Sequence, residues 1–196
     1  ARIAPCMETI CVILSGGQSR RMGQDKALLP LGSETFLTRL IRTYQEGFPV
    51  FVSAGESKKY DGLEVPVLED LHPGMGPLAG LEAAFLQTNA ELVFLTATDL
   101  PFGTLELAKT LVSSIGDADA CAIRRNSGLP EPTFAVYRRS CLTAVQSLLR
   151  DQKRAFRGLF SLADIRWLTT SRANQEKLVE AFRLQVFFRC IHRRRW

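Results

Sequence analysis

Histidines and paired cysteines are scarce in this sequence. Its 196 residues include only two histidines and five cysteines. Two histidines are too few for a His-based metal cluster, and they leave little room for nucleophilic catalysis that depends on a histidine base. The cysteines are odd in number and no two have C-x-x-C spacing. This pattern argues against a disulfide framework or a zinc site and predicts a protein of the reducing cytoplasm.

Long hydrophobic runs are also missing. No stretch of about 18 uncharged apolar residues occurs, so we expect no transmembrane helix and no membrane partner. Residues 1–8 are too few and too polar for a secretory signal. The hydrophobic fraction of 46% and the charged fraction of 23% are typical of a globular domain, and a single domain is the first expectation at this length.

Acidic residues are absent from the last fourteen positions, which contain five arginines. The formal net charge of the whole chain is +5, so residues 1–182 are balanced, with 20 basic and 20 acidic side chains. We therefore predict a charge-balanced domain over residues 1–184 and a basic C-terminal tail over residues 185–196. The tail has few aromatic residues between its cations, so nucleic acid is not an expected partner.

Strand and helix patterns alternate along the chain. Apolar runs predict strands at residues 9–15, 49–54, 65–69, 91–98, 118–123, 132–137 and 165–170. Helical spacing predicts helices at residues 33–48, 78–88, 104–115, 140–150 and 174–184, the first opened by Ser33 or Glu34. This alternation predicts an α/β fold, a single domain with a mostly parallel open sheet flanked by helices. Such sheets bind ligands at the carboxyl ends of their strands, which directs attention to Ser15, Glu69 and Thr98.

A segment rich in glycine and basic residues follows the first strand directly. Gly16 and Gly17 allow the backbone to approach a ligand closely and to turn its amides toward an anion. Arg20, Arg21 and Lys26 add positive charge, so we expect this segment to bind a polyphosphate. It is not a Walker loop, because no Ser or Thr follows Lys26, and it is not a G-x-G-x-x-G motif either.

The pattern from Leu14 to Lys26, L-x-G-G-x-S-x-R-M-G-x-D-K, resembles the signature of molybdenum cofactor guanylyltransferases and their nucleotidyltransferase relatives. Further along the chain, Glu69-Asp70, the segment G-M-G-P-L-A-G at residues 74–80 and the D-L-P segment at 99–101 resemble other motifs of that family. The resemblance covers residues 9–137 well. Beyond residue 150 it weakens, because the family's N-x-N-T-P segment is missing and Asn174 is the one possible counterpart.

This resemblance implies a Rossmann-like fold of the nucleotide-diphospho-sugar transferase type. It implies transfer of GMP from GTP to the terminal phosphate of a molybdopterin-type cofactor, which forms molybdopterin guanine dinucleotide and releases pyrophosphate. The family's Gly-Gly version of the first motif is associated with guanine and an Ala-Gly version with cytosine, so Gly16-Gly17 favours GTP.

The resemblance also implies roles for individual residues. Arg21, Lys26 and Asp99 are the predicted catalytic residues, and Asp99 is the predicted ligand of Mg²⁺, which favours hard oxygen donors. The predicted nucleotide-binding residues are Leu14, Ser15, Gly16, Gly17, Lys26, Ser53, Asp70 and Asp99. The alternatives left open are a helix cap for Asp99 and a solvated loop acid for Asp70. Gly80 is expected to allow close packing, and His72 to be a surface residue.

The acceptor side is less specific in the sequence. Arg124, Arg125 and Arg138 flank the loop at residues 126–132 and are candidates for the acceptor's phosphate, with solvation as the alternative. Two other functions stay open: a relative that uses CTP or another phosphorylated acceptor, such as a sugar or phospholactate, and a non-catalytic binding module based on the basic tail. In a further variant, the tail docks a molybdoenzyme or a cofactor-insertion protein.

Overall fold

The computed structural model describes residues 8–15, 30–31, 33–54, 60, 62–125 and 128–169. In this part of the chain, seven strands form one sheet: β1 (Thr9–Leu14), β4 (Val50–Ala54), β5 (Val67–Glu69), β6 (Leu92–Ala97), β7 (Ala120–Arg124), β8 (Pro130–Arg138) and β9 (Ile165–Thr169). Two further strands, β2 (Pro30–Leu31) and β3 (Glu34–Thr35), form a small antiparallel ribbon. The helices of the same residues are α1 (Phe36–Gln45), α2 (Pro77–Gln87), α3 (Leu105–Ser114), α4 (Leu142–Arg150) and α5 (Phe156–Leu162).

The strand order of the sheet is β5-β4-β1-β6-β8-β7-β9. The strands β5, β4, β1 and β6 are parallel neighbours, and β9 is parallel to β7. The exception is β8, which is antiparallel to both β6 and β7. The chain runs outward from β1 to β4 and β5 and then returns to β6 on the other side of β1, so the strand order reverses between β1 and β6. In open α/β sheets such a switch point is where a ligand-binding crevice forms.

Helices cover both faces of the sheet. The helices α1 and α3 pack on one face, in a core that includes Leu40, Leu111 and Phe94. The helices α2, α4 and α5 pack on the other face, in a core that includes Leu78 and Leu148. Because successive residues of a strand point to opposite faces, the apolar run of β1 contributes to both cores, and burial of each large apolar side chain stabilises the fold by roughly 1.5–3 kcal/mol.

The first helix begins later than the sequence predicts. Helix α1 starts at Phe36, and its N-cap is Thr35 rather than Ser33 or Glu34. The Thr35 side chain accepts a hydrogen bond from the Thr38 amide at 3.2 Å, while the Thr38 side chain accepts one from the Thr35 amide at 2.9 Å. Residues 34 and 35 also pair with residues 30 and 31 in the β2–β3 ribbon, which keeps them extended.

The structure adds one helix to those that the sequence predicts, and it does not describe the C-terminal residues. Helix α5 was not predicted, and a short 3₁₀ turn (Arg139–Cys141) precedes α4. The predicted helix at residues 174–184 and the tail at 185–196 lie outside the described residues, so the predicted domain division stays untested. The cysteines that the structure describes, Cys11, Cys121 and Cys141, are buried and unbridged. None of the described helices is long and apolar enough to cross a membrane.

Candidate active site

The switch point brings the ends of β1, β4 and β6 side by side. In the strand register Leu14 lies opposite Ser53 of β4 and opposite Ala97 of β6. Just beyond the strands, the Ser15 amide donates to the Ser53 carbonyl at 2.9 Å, and the Thr98 amide donates to the Leu14 carbonyl at 3.2 Å. These bonds extend the sheet to the residues that directly precede the predicted catalytic Asp99.

Asp70 meets Ser53 at the same edge of the sheet. The Ser53 hydroxyl donates to Oδ1 of Asp70 at 3.0 Å, across the parallel pairing of β4 and β5. Burial raises the pKa of the Asp70 carboxyl, and the hydrogen bond from Ser53 opposes that rise. A half-buried carboxylate with one oxygen oriented in this way is suited to accept N–H groups from a ligand, since such bonds favour its ionised form.

Glycine residues shape the loop before helix α2 and allow the helix to pack closely against this edge of the sheet. Gly74 and Gly76, in the loop before the helix, have φ angles of 78° and 76°, which favour glycine. At Gly80, one turn into the helix, an added Cβ would lie 2.5 Å from Cδ2 of Leu14 and 2.8 Å from Oγ of Ser53. The close packing expected at Gly80 is therefore observed, and the atoms that require it belong to two predicted nucleotide-binding residues.

Asp99 follows β6 in a tight turn. The Leu100 amide donates to the Ala97 carbonyl at 2.9 Å, and Nε of Arg39, on α1, donates to the Pro101 carbonyl at 3.1 Å. The alternative role of Asp99 as a helix cap is wrong, because the side chain of Thr104 caps α3 by accepting from the Leu107 amide at 3.2 Å. The turn thus leaves Asp99 at the carboxyl end of β6, beside the end of β1.

The carboxyl end of β7 lies at this same edge, because β8 is antiparallel to both of its neighbours. There the side chain of Arg125 forms an ion pair with Glu131, which is 5% exposed. The Thr133 hydroxyl donates to the other oxygen of Glu131 at 3.0 Å. The guanidinium carbon of Arg124 lies 4.3 Å from the ring centre of Trp167 on β9, a cation–π arrangement.

Arg138 is not at this edge, so its assignment to the acceptor phosphate is wrong. It ends β8 at the opposite edge of the sheet, where it donates to the Ala118 carbonyl at 3.0 Å and to the Gly116 carbonyl at 2.6 Å. The antiparallel direction of β8 is the physical reason, because it carries the end of this strand away from the carboxyl ends of β6 and β7.

Comparison with known proteins places this geometry in a family. A family model described as the MobA-like NTP transferase domain matches residues 11–166. The chain is 36% identical over 143 residues to a "probable molybdenum cofactor guanylyltransferase" of Carboxydothermus hydrogenoformans, with 72% of each chain covered. It is 37% identical over 160 residues to a protein of the same name from Mycobacterium tuberculosis, covering 78% of this chain and 79% of the relative. The chain belongs to the MobA-like NTP transferase family.

A solved structure shares the fold of this family member. The crystal structure of molybdopterin-guanine dinucleotide biosynthesis protein A from Archaeoglobus fulgidus matches with a TM-score of 0.77 and 21% sequence identity, covering 88% of this chain and 89% of that chain. The family model and the similar relatives confirm the resemblance drawn from the sequence motifs. The predicted fold class, a mostly parallel open sheet flanked by helices as in nucleotide-diphospho-sugar transferases, is confirmed as well.

The structure describes only part of the predicted site. Leu14, Ser15, Ser53, Asp70 and Asp99 lie together along the ends of β1, β4, β5 and β6. The remaining predicted residues, Gly16, Gly17, Arg21 and Lys26, lie outside the described residues, as does Asn174. Their roles stay predictions.

The donor set at the switch point fits magnesium. Within the described residues, no group of three or more His, Cys, Asp or Glu side chains is arranged to hold a metal ion. Mg²⁺ does not need such a cage, because it keeps several waters and is usually bound by one or two carboxylates together with substrate phosphates. The single carboxylate of Asp99 is therefore compatible with Mg²⁺ that arrives with a nucleoside triphosphate.

Two contacts of the site were missed by sequence reasoning. The Ser15 hydroxyl donates to the hydroxyl of Tyr60 at 2.6 Å, and the Tyr60 hydroxyl donates to the Ser15 carbonyl at 2.8 Å. In the loop after Asp70, Nδ1 of His72 lies 2.7 Å from Oε2 of Glu82, a buried acid of α2. A signal existed for both: Tyr60 is the one aromatic residue in a polar loop, and Glu82 is the one acid in an apolar helix.

Proposed function

We propose that this chain transfers GMP from GTP to the terminal phosphate of a molybdopterin-type cofactor, and that it releases pyrophosphate. The observation that carries the proposal is the placement of Asp99 beside Leu14 and Ser15 at the switch point, with Ser53 and Asp70 along the same edge. The names of relatives 36–37% identical to this chain support the same reaction and the same acceptor.

The reaction does not need a general base from the protein. A phosphate monoester has a second pKa of about 6, so the acceptor phosphate is mostly dianionic at neutral pH and is already a nucleophile. The chain has to align this phosphate with the α-phosphate of GTP and to stabilise the charge that develops on the phosphates. In the proposal, Lys26 and Arg21 supply positive charge to the triphosphate.

Magnesium belongs to this proposal. Asp99 would hold the ion, which when bound neutralises charge on the triphosphate oxygens. The carboxylate of Asp70 recognises the nucleotide by accepting N–H groups, and a guanine edge offers two of them in a row. The Ser53 hydroxyl already occupies one side of that carboxylate and so fixes which way it faces.

The proposal also includes where the reaction takes place and which partners it uses. The buried thiols of Cys11, Cys121 and Cys141 are unbridged, which supports the reducing cytoplasm as the location. Docking of a molybdoenzyme or a cofactor-insertion protein by the basic tail remains a prediction without structural support.

The test replaces single charged groups and measures GMP transfer. Asp99→Asn keeps the size of the side chain but removes its charge, and Lys26→Ala removes a predicted phosphate contact. We expect each variant to lose at least about 100-fold in turnover while its thermal unfolding stays close to that of the unaltered protein. The matched control is Asp117→Asn, at an exposed position that precedes β7 at the opposite edge of the sheet.

Nucleotide choice is tested on the same proteins. With Mg²⁺ present, GTP should raise the melting temperature more than CTP, because a ligand that binds only the folded state stabilises it by mass action. Turnover of Asp99→Asn equal to that of the control would remove Asp99 from the mechanism. Stronger stabilisation by CTP than by GTP would replace guanylyl transfer with cytidylyl transfer.

A further inference from the structure

Helix α2 holds the chain on both sides of Asp70. Before Asp70, the side chain of Gln87 forms two hydrogen bonds with the backbone of Glu69: its Oε1 accepts from the amide at 3.2 Å, and its Nε2 donates to the carbonyl at 2.7 Å. After Asp70, Nδ1 of His72 lies 2.7 Å from Oε2 of Glu82. Two residues, of which Asp70 is the first, lie between these attachments, so the chain has little freedom to move there.

The pair of His72 and Glu82 attaches the exposed part of this loop to α2. Leu71 is 55% exposed, and residues 73–74 are exposed as well, so burial of apolar side chains does not fix this stretch. The next buried residue along the chain is Met75. A polar contact therefore has to hold the loop in place, and this pair supplies one.

Burial of the acid favours the closed pair. Glu82 is 3% exposed, and the other buried residues of α2 are apolar. A buried carboxylate is costly unless it is hydrogen-bonded. An ionised carboxylate only accepts hydrogen bonds, so Nδ1 of His72 is the donor. Movement of the loop away from the helix would leave the acid buried without this donor, and so the helix keeps His72 in place.

The Asp70 carboxylate is thus oriented by the Ser53 hydroxyl and carried by a backbone that α2 holds on both sides. We propose that His72, paired with Glu82, is a positioning residue for guanine recognition: it holds the loop so that Asp70 meets the two N–H groups of the guanine edge. This inference rests on the proposed function, in which Asp70 accepts those groups.

The first test is His72→Ala, which removes the donor to Glu82. A displaced carboxylate binds guanine less well in the ground state and in the transition state alike. The Kd and the KM for GTP should therefore rise about tenfold, while kcat changes by less than about twofold. Inosine triphosphate lacks the exocyclic amino group of guanine and offers Asp70 one N–H group fewer. Its Kd should rise by less than about threefold, so the preference for GTP over inosine triphosphate should shrink.

A double-mutant cycle determines whether His72 acts through Asp70. In the proposed function, Asp70→Asn weakens GTP binding by itself. In that background, His72→Ala should change the Kd for GTP by less than about twofold, because the carboxylate that His72 positions is already gone. A residue that supports the site only in a general way would lower the affinity by the same factor in both backgrounds.

Two more variants separate positioning from stability. His72→Ala leaves the buried Glu82 carboxylate without this donor, and this lowers the melting temperature. Adding Glu82→Leu removes the buried charge, so the double variant should regain melting temperature while its GTP affinity stays low. His72→Asn places an amide nitrogen close to the position of Nδ1 and keeps a donor for Glu82. Its GTP affinity should stay within about threefold of that of the unaltered protein.

The matched control is Ser140→Ala, at the opposite edge of the sheet. The Ser140 hydroxyl donates to Oδ1 of Asp119 at 2.5 Å, so this variant also removes a side-chain donor from a carboxylate. It should leave both the Kd for GTP and the preference over inosine triphosphate unchanged.

Equal losses for GTP and inosine triphosphate in His72→Ala would overturn the inference, as would a full additional loss in the Asp70→Asn background or recovery of GTP affinity on adding Glu82→Leu. Failure of the proposed function has a different signature. If the unaltered protein does not bind GTP, or if Asp70→Asn binds it equally tightly, the role assigned to Asp70 is wrong and the inference falls with it. If Asp70→Asn weakens binding and His72→Ala does not, the inference alone fails.

Discussion

Gly80 offers a direct test of how the structure positions the predicted nucleotide site. It lies on the face of α2 that packs against the ends of β1 and β4. Replacement by alanine adds a Cβ 2.5 Å from Cδ2 of Leu14 and 2.8 Å from Oγ of Ser53. Contacts this short cannot persist, so one or both of these side chains must move.

The change in stability is a balance of two opposed effects. Alanine is favoured over glycine inside a helix by roughly 1 kcal/mol. Overpacking of a filled interior costs about 1–3 kcal/mol. We expect a net loss of about 0–2 kcal/mol, which corresponds to a fall in melting temperature of no more than about 8 °C.

The change in GTP binding should be clearer than the change in stability. Displacement of the Ser53 hydroxyl disturbs its 3.0 Å bond to Asp70, and displacement of Leu14 disturbs the residue next to Ser15. We therefore expect the KM for GTP to rise about tenfold, which equals a loss of about 1.4 kcal/mol in binding.

Gly158 on α5 supplies the matched control. A Cβ added there would lie 2.8 Å from Cδ2 of Leu148 on α4, which is the same kind of contact between a helical glycine and a leucine methyl group. Steady-state kinetics and thermal unfolding of Gly80→Ala and Gly158→Ala should give similar stability losses and different values of the KM for GTP. If the two variants have the same KM for GTP, packing at Gly80 does not position the nucleotide and the reasoning is refuted.

Two other residues carry further predictions. Burial raises the pKa of Asp70, so the ionised carboxylate destabilises the folded protein at pH values above that pKa. Asp70→Asn should therefore raise the melting temperature by about 1–3 °C at pH 7.5 and should give no gain near pH 3, where the carboxyl is protonated in both states. The same variant should bind GTP more weakly. A gain that is independent of pH would contradict this cause. Glu131→Ala breaks the ion pair with Arg125 and removes the acceptor of the Thr133 hydroxyl. It should cost about 2–3 kcal/mol in urea unfolding, less than a fully buried pair, because the arginine side chain is 25% exposed and partly screened. A loss below about 0.5 kcal/mol would indicate that the pair is screened as at the surface.

The strands of the sheet could be predicted because they are nearly continuous apolar runs. Buried parallel strands have this composition, and only their ends differ from the prediction, by one or two residues. Helix α5 was not predictable in this way, since its seven residues are too short for a helical pattern and include Gly158. Its place depends on packing of Phe156 and Leu159 into a core that the sequence does not locate.

The nucleotide side of the site was more predictable than the acceptor side, for a topological reason. Leu14, Ser53 and Asp70 each end a strand, and parallel strands bring such residues to one edge whatever their exact register. Arg138 was misplaced because nothing in the local sequence of β8 marks it as antiparallel. Tertiary pairing alone determines that direction, and it sends the two ends of β8 to opposite edges of the sheet.

The motifs that identify the family do not by themselves fix the geometry of the site. Tyr60 donates a hydrogen bond to Ser15. Gly80 packs closely against Leu14 and Ser53. Arg39 on α1 donates a hydrogen bond to the turn that follows Asp99. Tyr60 and Arg39 lie outside every motif that carried the resemblance. A chain that kept all the motif residues but lost these two supports would still match the family, and we expect it to bind GTP more weakly. Ser15 at the end of β1 and the turn that contains Asp99, the predicted metal ligand, would no longer be held in fixed positions, and preorganised groups are what phosphoryl transfer requires.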